Sequence, residues 1–117
     1  MELHQTLKQD YLVKNVFYGL TNLNDGFDTS TIYYFSEADF RIVLDRVEEL
    51  GIGLYGIEPW KNKWLFDVSG YEDYSNNPTD PDWYRVAFVE FVSLKEELCY
   101  SATYYVPLID VNEMGNA

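Results

Sequence analysis

Ser36-Glu37-Ala38-Asp39-Phe40-Arg41-Ile42-Val43-Leu44-Asp45-Arg46-Val47-Glu48-Glu49-Leu50-Gly51-Ile52-Gly53-Leu54-Tyr55-Gly56-Ile57 contains a complete passage from helix to strand. Ser36 is an N-cap, because its hydroxyl can accept one of the backbone N–H groups that a first helical turn leaves unpaired. Glu37 and Asp39 follow it, where negative charge favours the positive end of the helix dipole. Phe40, Val43, Leu44, Val47 and Leu50 recur at helical spacing, with Glu37, Arg41, Asp45, Glu48 and Glu49 on the opposite face. Gly51 supplies the C-terminal stop. From Ile52 to Ile57 the composition changes to that of a strand, which Glu58-Pro59 is expected to close.

Working outward toward the C-terminus, Trp60-Lys61-Asn62-Lys63 reads as a turn and Trp64 to Tyr71 as a returning strand. In that strand Trp64, Phe66 and Val68 alternate with Leu65, Asp67 and Ser69, so the first set is expected to face the core. Asn76-Asn77-Pro78-Thr79-Asp80-Pro81 is a loop that ends as a helix should begin, with Asp80 at the cap and Pro81 in the first helical position. The next stretch carries two periodicities. Trp83, Ala87, Phe91, Leu94 and Leu98 form a helical stripe, while Tyr84, Val86, Phe88, Glu90 and Val92 alternate like a strand. The start signal and the length favour the helix, which leaves Val86 and Val89 as a second apolar patch suited to a homodimer contact. Leu98 to Val106, rich in tyrosine and β-branched residues, reads as a strand.

Toward the N-terminus, Thr31 to Phe35 reads as a short strand, Asn22-Leu23-Asn24-Asp25-Gly26 as turn chemistry, and Leu12 to Leu20 as a further strand. Residues 1–10 and 108–117 are expected to fray from a single domain spanning 1–117. These elements predict an α+β fold: a two-layer domain with a mainly antiparallel sheet of about four to five strands and two helices on one face. Their order is compatible with a ferredoxin-like double split βαβ arrangement.

Composition narrows the function. The chain has 117 residues, a formal net charge of -12 and 47% hydrophobic residues, enough for one domain with a real core and no metal or disulfide staple. Such acidity repels phosphate backbones and anionic headgroups, so neither direct nucleic-acid binding nor membrane association is expected. The single cysteine favours a reducing compartment. The opening residues carry neither a basic start nor an apolar run of signal-peptide length, so a cytoplasmic protein is expected.

The motifs that suggest chemistry fail on context. Gly51-Ile52-Gly53-Leu54-Tyr55-Gly56 matches G-x-G-x-x-G, but it follows a helix and enters a strand. A dinucleotide fingerprint must do the reverse. Glycines where a helix stops or another backbone packs closely account for it better. Asn24, Asp25 and Asp28 suggest an oxygen-rich loop, yet in EF-hand register Gly26 would put Leu23 and Ile32 at ligand positions. Asp67, Glu72 and Asp73 could hold a divalent ion only if folding converged them. His4 is the sole histidine, Cys99 falls in a strand, and no nucleophile elbow, phosphate loop or C-x-x-C pair is present. Neither an enzyme nor a cofactor is expected.

The aromatic content says more, at 18% of the chain with 11 tyrosines. Phe40, Trp64, Phe66, Phe88 and Phe91 fall on stripes expected to be buried. Tyr33, Tyr34, Tyr71, Tyr74, Tyr100, Tyr104 and Tyr105 cannot all face inward if the strands alternate. Trp60, Tyr71, Tyr74 and Trp83 lie beside Glu72, Asp73, Asp80 and Asp82, and aromatic anchors rimmed by carboxylates suit a basic protein partner. These eight residues are the candidate partner surface. The expected function is a small inhibitor of a basic macromolecule, such as a toxin-neutralising immunity protein or a mimic of nucleic-acid charge. The alternative is a small-ligand or carbohydrate-binding module built on exposed tyrosine and tryptophan.

Overall fold

The computed structural model describes residues 3–114, with side chains from Leu3 through Asp110. In chain order it contains helix α1 (Leu3–Asn15), helix α2 (Glu37–Leu50), strands β1 (Gly53–Lys61), β2 (Trp64–Leu65) and β3 (Ser69–Gly70), and a 3-10 turn (Tyr71–Asp73). Helix α3 (Pro81–Ser93), strand β4 (Cys99–Tyr105) and helix α4 (Pro107–Met114) complete it. The fold is α+β.

Helix α2 forms as its sequence dictates. The Ser36 hydroxyl accepts the Asp39 amide at 3.2 Å, and Gly51 takes the left-handed conformation (φ 72°) that ends the helix. Helix α3 opens on Asp80, whose carboxylate accepts the Asp82 amide at 2.9 Å, with Pro81 immediately after. Its buried residues are Trp83, Tyr84, Ala87, Phe88 and Phe91, whereas Val86, Val89 and Leu94 face solvent. The two helices pack on each other and on β1 and β4. Phe40 of α2 stacks on Tyr100 of β4 with centroids 5.1 Å apart, and Phe88 of α3 meets the same ring edge-on at 5.2 Å.

Every strand pairing is antiparallel, and β1 is central. Strand β4 pairs along one edge of β1, β2 and β3 share the other, and an isolated bridge between Phe35 and Tyr100 extends the sheet beyond β4. In a split βαβ arrangement an antiparallel strand separates the parallel ones, so antiparallel pairing alone is compatible with a ferredoxin-like sheet. The strand order is not, because β1, the strand after α2, is central and pairs directly with β4 rather than lying at an edge. The would-be first strand of that arrangement is absent as well. Residues 1 and 2 lie outside the described residues; from Leu3 to Asn15 the chain makes α1, where fraying as far as residue 10 and a strand over 12–20 are expected. The guanidinium of Arg46 donates to the carbonyls of Val16 (2.9 Å) and Tyr18 (2.7 Å), satisfying backbone acceptors just beyond that helix. At the other end Pro107–Met114 forms α4 where a frayed tail is expected; residues 115–117 lie outside the described residues.

Two further differences lie in the central sheet. Strand β1 runs through Pro59 to Lys61 instead of closing at Glu58-Pro59. The Pro59 carbonyl accepts the Phe66 amide at 2.9 Å, so its missing N–H faces the same edge, where the neighbouring ladder is already broken. The returning strand is accordingly split into β2 and β3, and the Asp67 carboxylate takes the Val68 amide at 2.8 Å. Asn62 and Lys63, both at positive φ (51° and 68°), form the two-residue turn that joins β1 to β2. The split also overturns the expected burial of Trp64 and Phe66. Lying on the edge beyond the helix-covered strands, Trp64 is 77% exposed and Phe66 39%.

Gly53 explains part of the glycine motif. A Cβ there would stand 2.3 Å from the Pro78 carbonyl oxygen, so the 76–80 loop can lie against β1 only if this residue has no side chain. Tyr55 is the extra residue of a bulge between Leu54 and Gly56.

Candidate functional site

The split edge strand creates the most exposed apolar segment of the described residues. Trp64, Leu65, Phe66 and Val68 are all exposed, and the chain then turns into Tyr71, Glu72, Asp73 and Tyr74. The lysines that flank the hairpin are neutralised locally, Lys61 by Glu96 and Lys63 by Asp25 at 3.1 Å. Asp67, Glu72 and Asp73 are exposed along the same stretch. Exposed aromatic and aliphatic groups and carboxylates therefore follow one another in sequence from 64 to 74, with Leu65 on the side of Trp60 and Trp64 on the opposite side of the edge strand.

The eight residues singled out from the sequence do not form one surface. Glu72, Asp73 and Asp82 are exposed as expected. Tyr71 is half-buried against Tyr55, with centroids 6.2 Å apart. Tyr74 keeps part of its ring in solvent and donates its hydroxyl to Glu90 at 2.5 Å, which pushes its pKa up. Asp80 is occupied as the cap of α3 and accepts the Ser75 hydroxyl at 3.1 Å. Trp83 is only 1% exposed and cannot serve as a partner anchor. It belongs to the core, with its indole N–H on the Pro78 carbonyl (3.3 Å) and Tyr74 packed at 5.8 Å. Trp60 points elsewhere, donating from Nε1 to the Ser101 hydroxyl at 3.1 Å and meeting Tyr34 edge-on at 5.3 Å. The residues the sequence reading missed are Trp64, Leu65, Phe66 and Val68. Pro59 was the available signal, since a proline in the partner strand marks where a ladder fails.

Trp60 instead borders a concavity of about 600 Å³ on the sheet face opposite α2 and α3. Strand alternation puts Glu58 and Ser101 on that face, because Tyr100 and Pro59 point the other way into the core. The Ser101 hydroxyl, 3% exposed as a residue, donates to Glu58 at 3.3 Å. Burial raises the Glu58 pKa, against the lowering effect of the hydrogen bonds from Ser101 and Thr103. Helix α1 and the 28–34 segment close the concavity.

The 22–34 loop that carries this segment folds around Asn24. The Asn24 amide donates to the carbonyls of Asp28, Thr29 and Ile32, and its oxygen accepts the Gly26 amide. Asp28 receives the Tyr34 hydroxyl, which holds the carboxylate pKa below its ordinary value. The loop's oxygen-rich character thus serves its own backbone. Among the described residues no group of three or more histidine, cysteine or carboxylate side chains converges as a metal site would require. Burial pushes the Cys99 thiol up, away from the reactive thiolate range. No helix among the described residues is long and apolar enough to cross a membrane.

No protein family, curated protein or solved structure matches the chain.

Proposed function

We propose that this protein is a small acidic protein-binding domain that inhibits a basic macromolecule by docking the 64–74 face on it. The observation that carries this reading is the 77% exposure of Trp64, next in sequence to exposed Leu65 and Phe66. A tryptophan kept out of a well-formed core has a large area available for burial against a partner. Asp67, Glu72 and Asp73 supply the rim, and the net charge of -12 steers a cationic surface toward it. An immunity protein or a nucleic-acid mimic would use this division of labour, with charge setting the rate of encounter and apolar anchors holding the complex.

The test is capture on the immobilised protein and on its Trp64→Ala variant, followed by association kinetics of the retained protein at two salt concentrations. Support requires a basic protein held by the parent, weakened on the order of 2 kcal/mol by the variant, and slower to associate at high salt. A partner that binds both forms equally, or whose association ignores salt, would sink this reading. Sedimentation of the protein alone at high micromolar concentration separates this face from self-association through Val86 and Val89, which are 48% and 58% exposed.

A further inference from the structure

We propose that the concavity between α1 and the sheet binds a small organic cation, an ammonium group on an apolar body, with the Glu58 carboxylate as its counter-ion. This site is separate from the 64–74 face. A volume of about 600 Å³ suits a small molecule, for which sites of roughly 300–1,000 Å³ are usual. The lining divides into two parts. Phe17, Tyr33 and Tyr104 give apolar and aromatic wall, and Glu58, Ser101 and Trp60 give a polar floor.

The floor is organised around the carboxylate. The Trp60 indole donates to the Ser101 hydroxyl at 3.1 Å, and that hydroxyl donates to Glu58 Oε1 at 3.3 Å. This relay orients Glu58 but brings it no positive charge. Among the described residues no lysine or arginine forms an ion pair with Glu58. The lysine that does line the concavity, Lys8, is committed to Asp110 at 3.0 Å and to the face of Tyr55 at 5.5 Å. Asp10 and Asp28 also line it, so its charge is negative on balance.

A partly buried carboxylate without a counter-ion, beside aromatic faces, is chemically complementary to an ammonium ion. The carboxylate supplies the charge, and the rings supply their negative faces and apolar area. An anionic ligand meets repulsion from three carboxylates. A neutral sugar can take hydrogen bonds from the floor but leaves Glu58 uncompensated. The raised pKa of Glu58 is the cost that an arriving cation would relieve.

The experiment is an NMR titration of the whole protein with phenethylamine, its neutral counterpart 2-phenylethanol, and glucose. Saturable shifts are expected at Ser101, Thr103 and the Trp60 indole with phenethylamine, and binding about tenfold weaker or worse with 2-phenylethanol. Glu58→Gln should lose about tenfold or more in amine affinity, and Glu49→Gln, on the exposed face of α2, should lose none. Equal binding of the amine and the alcohol, tighter binding of glucose, full affinity in Glu58→Gln, or no shift at these residues would each overturn the proposal. The comparison of amine and alcohol on the parent protein decides the matter even if Glu58→Gln fails to fold.

Discussion

Lys8 and Asp110, 102 positions apart in the chain, form an ion pair of 3.0 Å that ties α1 to the first turn of α4. Asp110 is 2% exposed, and its second role is to accept the Val106 amide at 2.7 Å. One buried carboxylate thus satisfies an orphan donor at the start of α4 and anchors a helix from the other end of the sequence. Asp110→Ala should cost about 3 kcal/mol, because it strands both the Lys8 ammonium and the Val106 N–H. Lys8→Met should cost less, since the Val106 amide remains with the carboxylate. Urea unfolding of the two variants checks the order, and equal losses would contradict it.

Gly53→Ala should destabilise the protein by about 1–3 kcal/mol or more through overpacking. The obstacle is backbone: the Pro78 carbonyl oxygen at 2.3 Å and the Thr79 nitrogen at 2.8 Å from the added carbon. No rotamer change can relieve it. Thermal denaturation is sufficient, and an unchanged midpoint would show that the 76–80 loop does not hold this position.

Two tryptophans should behave in opposite ways. Trp83→Ala should lose about 3–5 kcal/mol of stability, as expected for truncating a fully buried aromatic ring. Trp64→Ala should stay within about 0.5 kcal/mol of the parent, because little of that ring is removed from solvent on folding. Parallel denaturant curves distinguish them. A large loss for Trp64→Ala would mean that the hairpin packs more tightly than its exposure indicates.

Glu58 makes stability depend on pH in a definite direction. Its folded-state pKa is raised by burial, so between the unfolded and folded pKa values the native state binds more protons than the unfolded chain. Its contribution to stability therefore falls as pH rises through that interval, and the penalty is complete above the folded pKa. Glu58→Gln removes the charge without removing the hydrogen-bonding shape. The variant should gain stability relative to the parent at neutral pH and lose that advantage in acid, below the ordinary carboxylate range. Melting curves of both proteins across pH 3 to 8, a window of about five units spanning the carboxylate range, read this directly. A gap that is constant with pH would show that Glu58 is not desolvated.

Much of the local structure was legible because it depends on neighbours in sequence. Ser36, Gly51, Asp80 and Pro81 announce the ends of α2 and α3, and the caps form as read. The alternative strand reading of 81–97 yields to Asp80-Pro81 and to a stripe that buries Trp83, Ala87 and Phe91. The N-terminal segment was less legible. Leu12, Val16 and Phe17 satisfy a strand pattern as readily as one side of a helix, and neither Met1 nor Glu2, the residues before Leu3 in the sequence, is of a preferred capping type. What stabilises α1 lies far away in the chain, in Asp110 and, beyond its C-terminus, in Arg46.

The candidate surface divides along the same line. Acidity, aromatic abundance and the poor context of the glycine motif are properties of composition and local order, and the sequence alone determined them. Which aromatic rings face solvent was decided by tertiary structure. Trp83 and Trp64 both sit in plausible apolar patterns, and only the packing of α2 and α3 over β1 and β4, with the edge strand left beyond, buries the first and exposes the second. Glu58 and Ser101 are 43 residues apart, and their meeting depends on the β1–β4 register. Periodicity can assign a residue to one side of its own element. What that side meets depends on contacts between distant segments, each formed against the entropy of closing a loop and held by burial shared across the whole core.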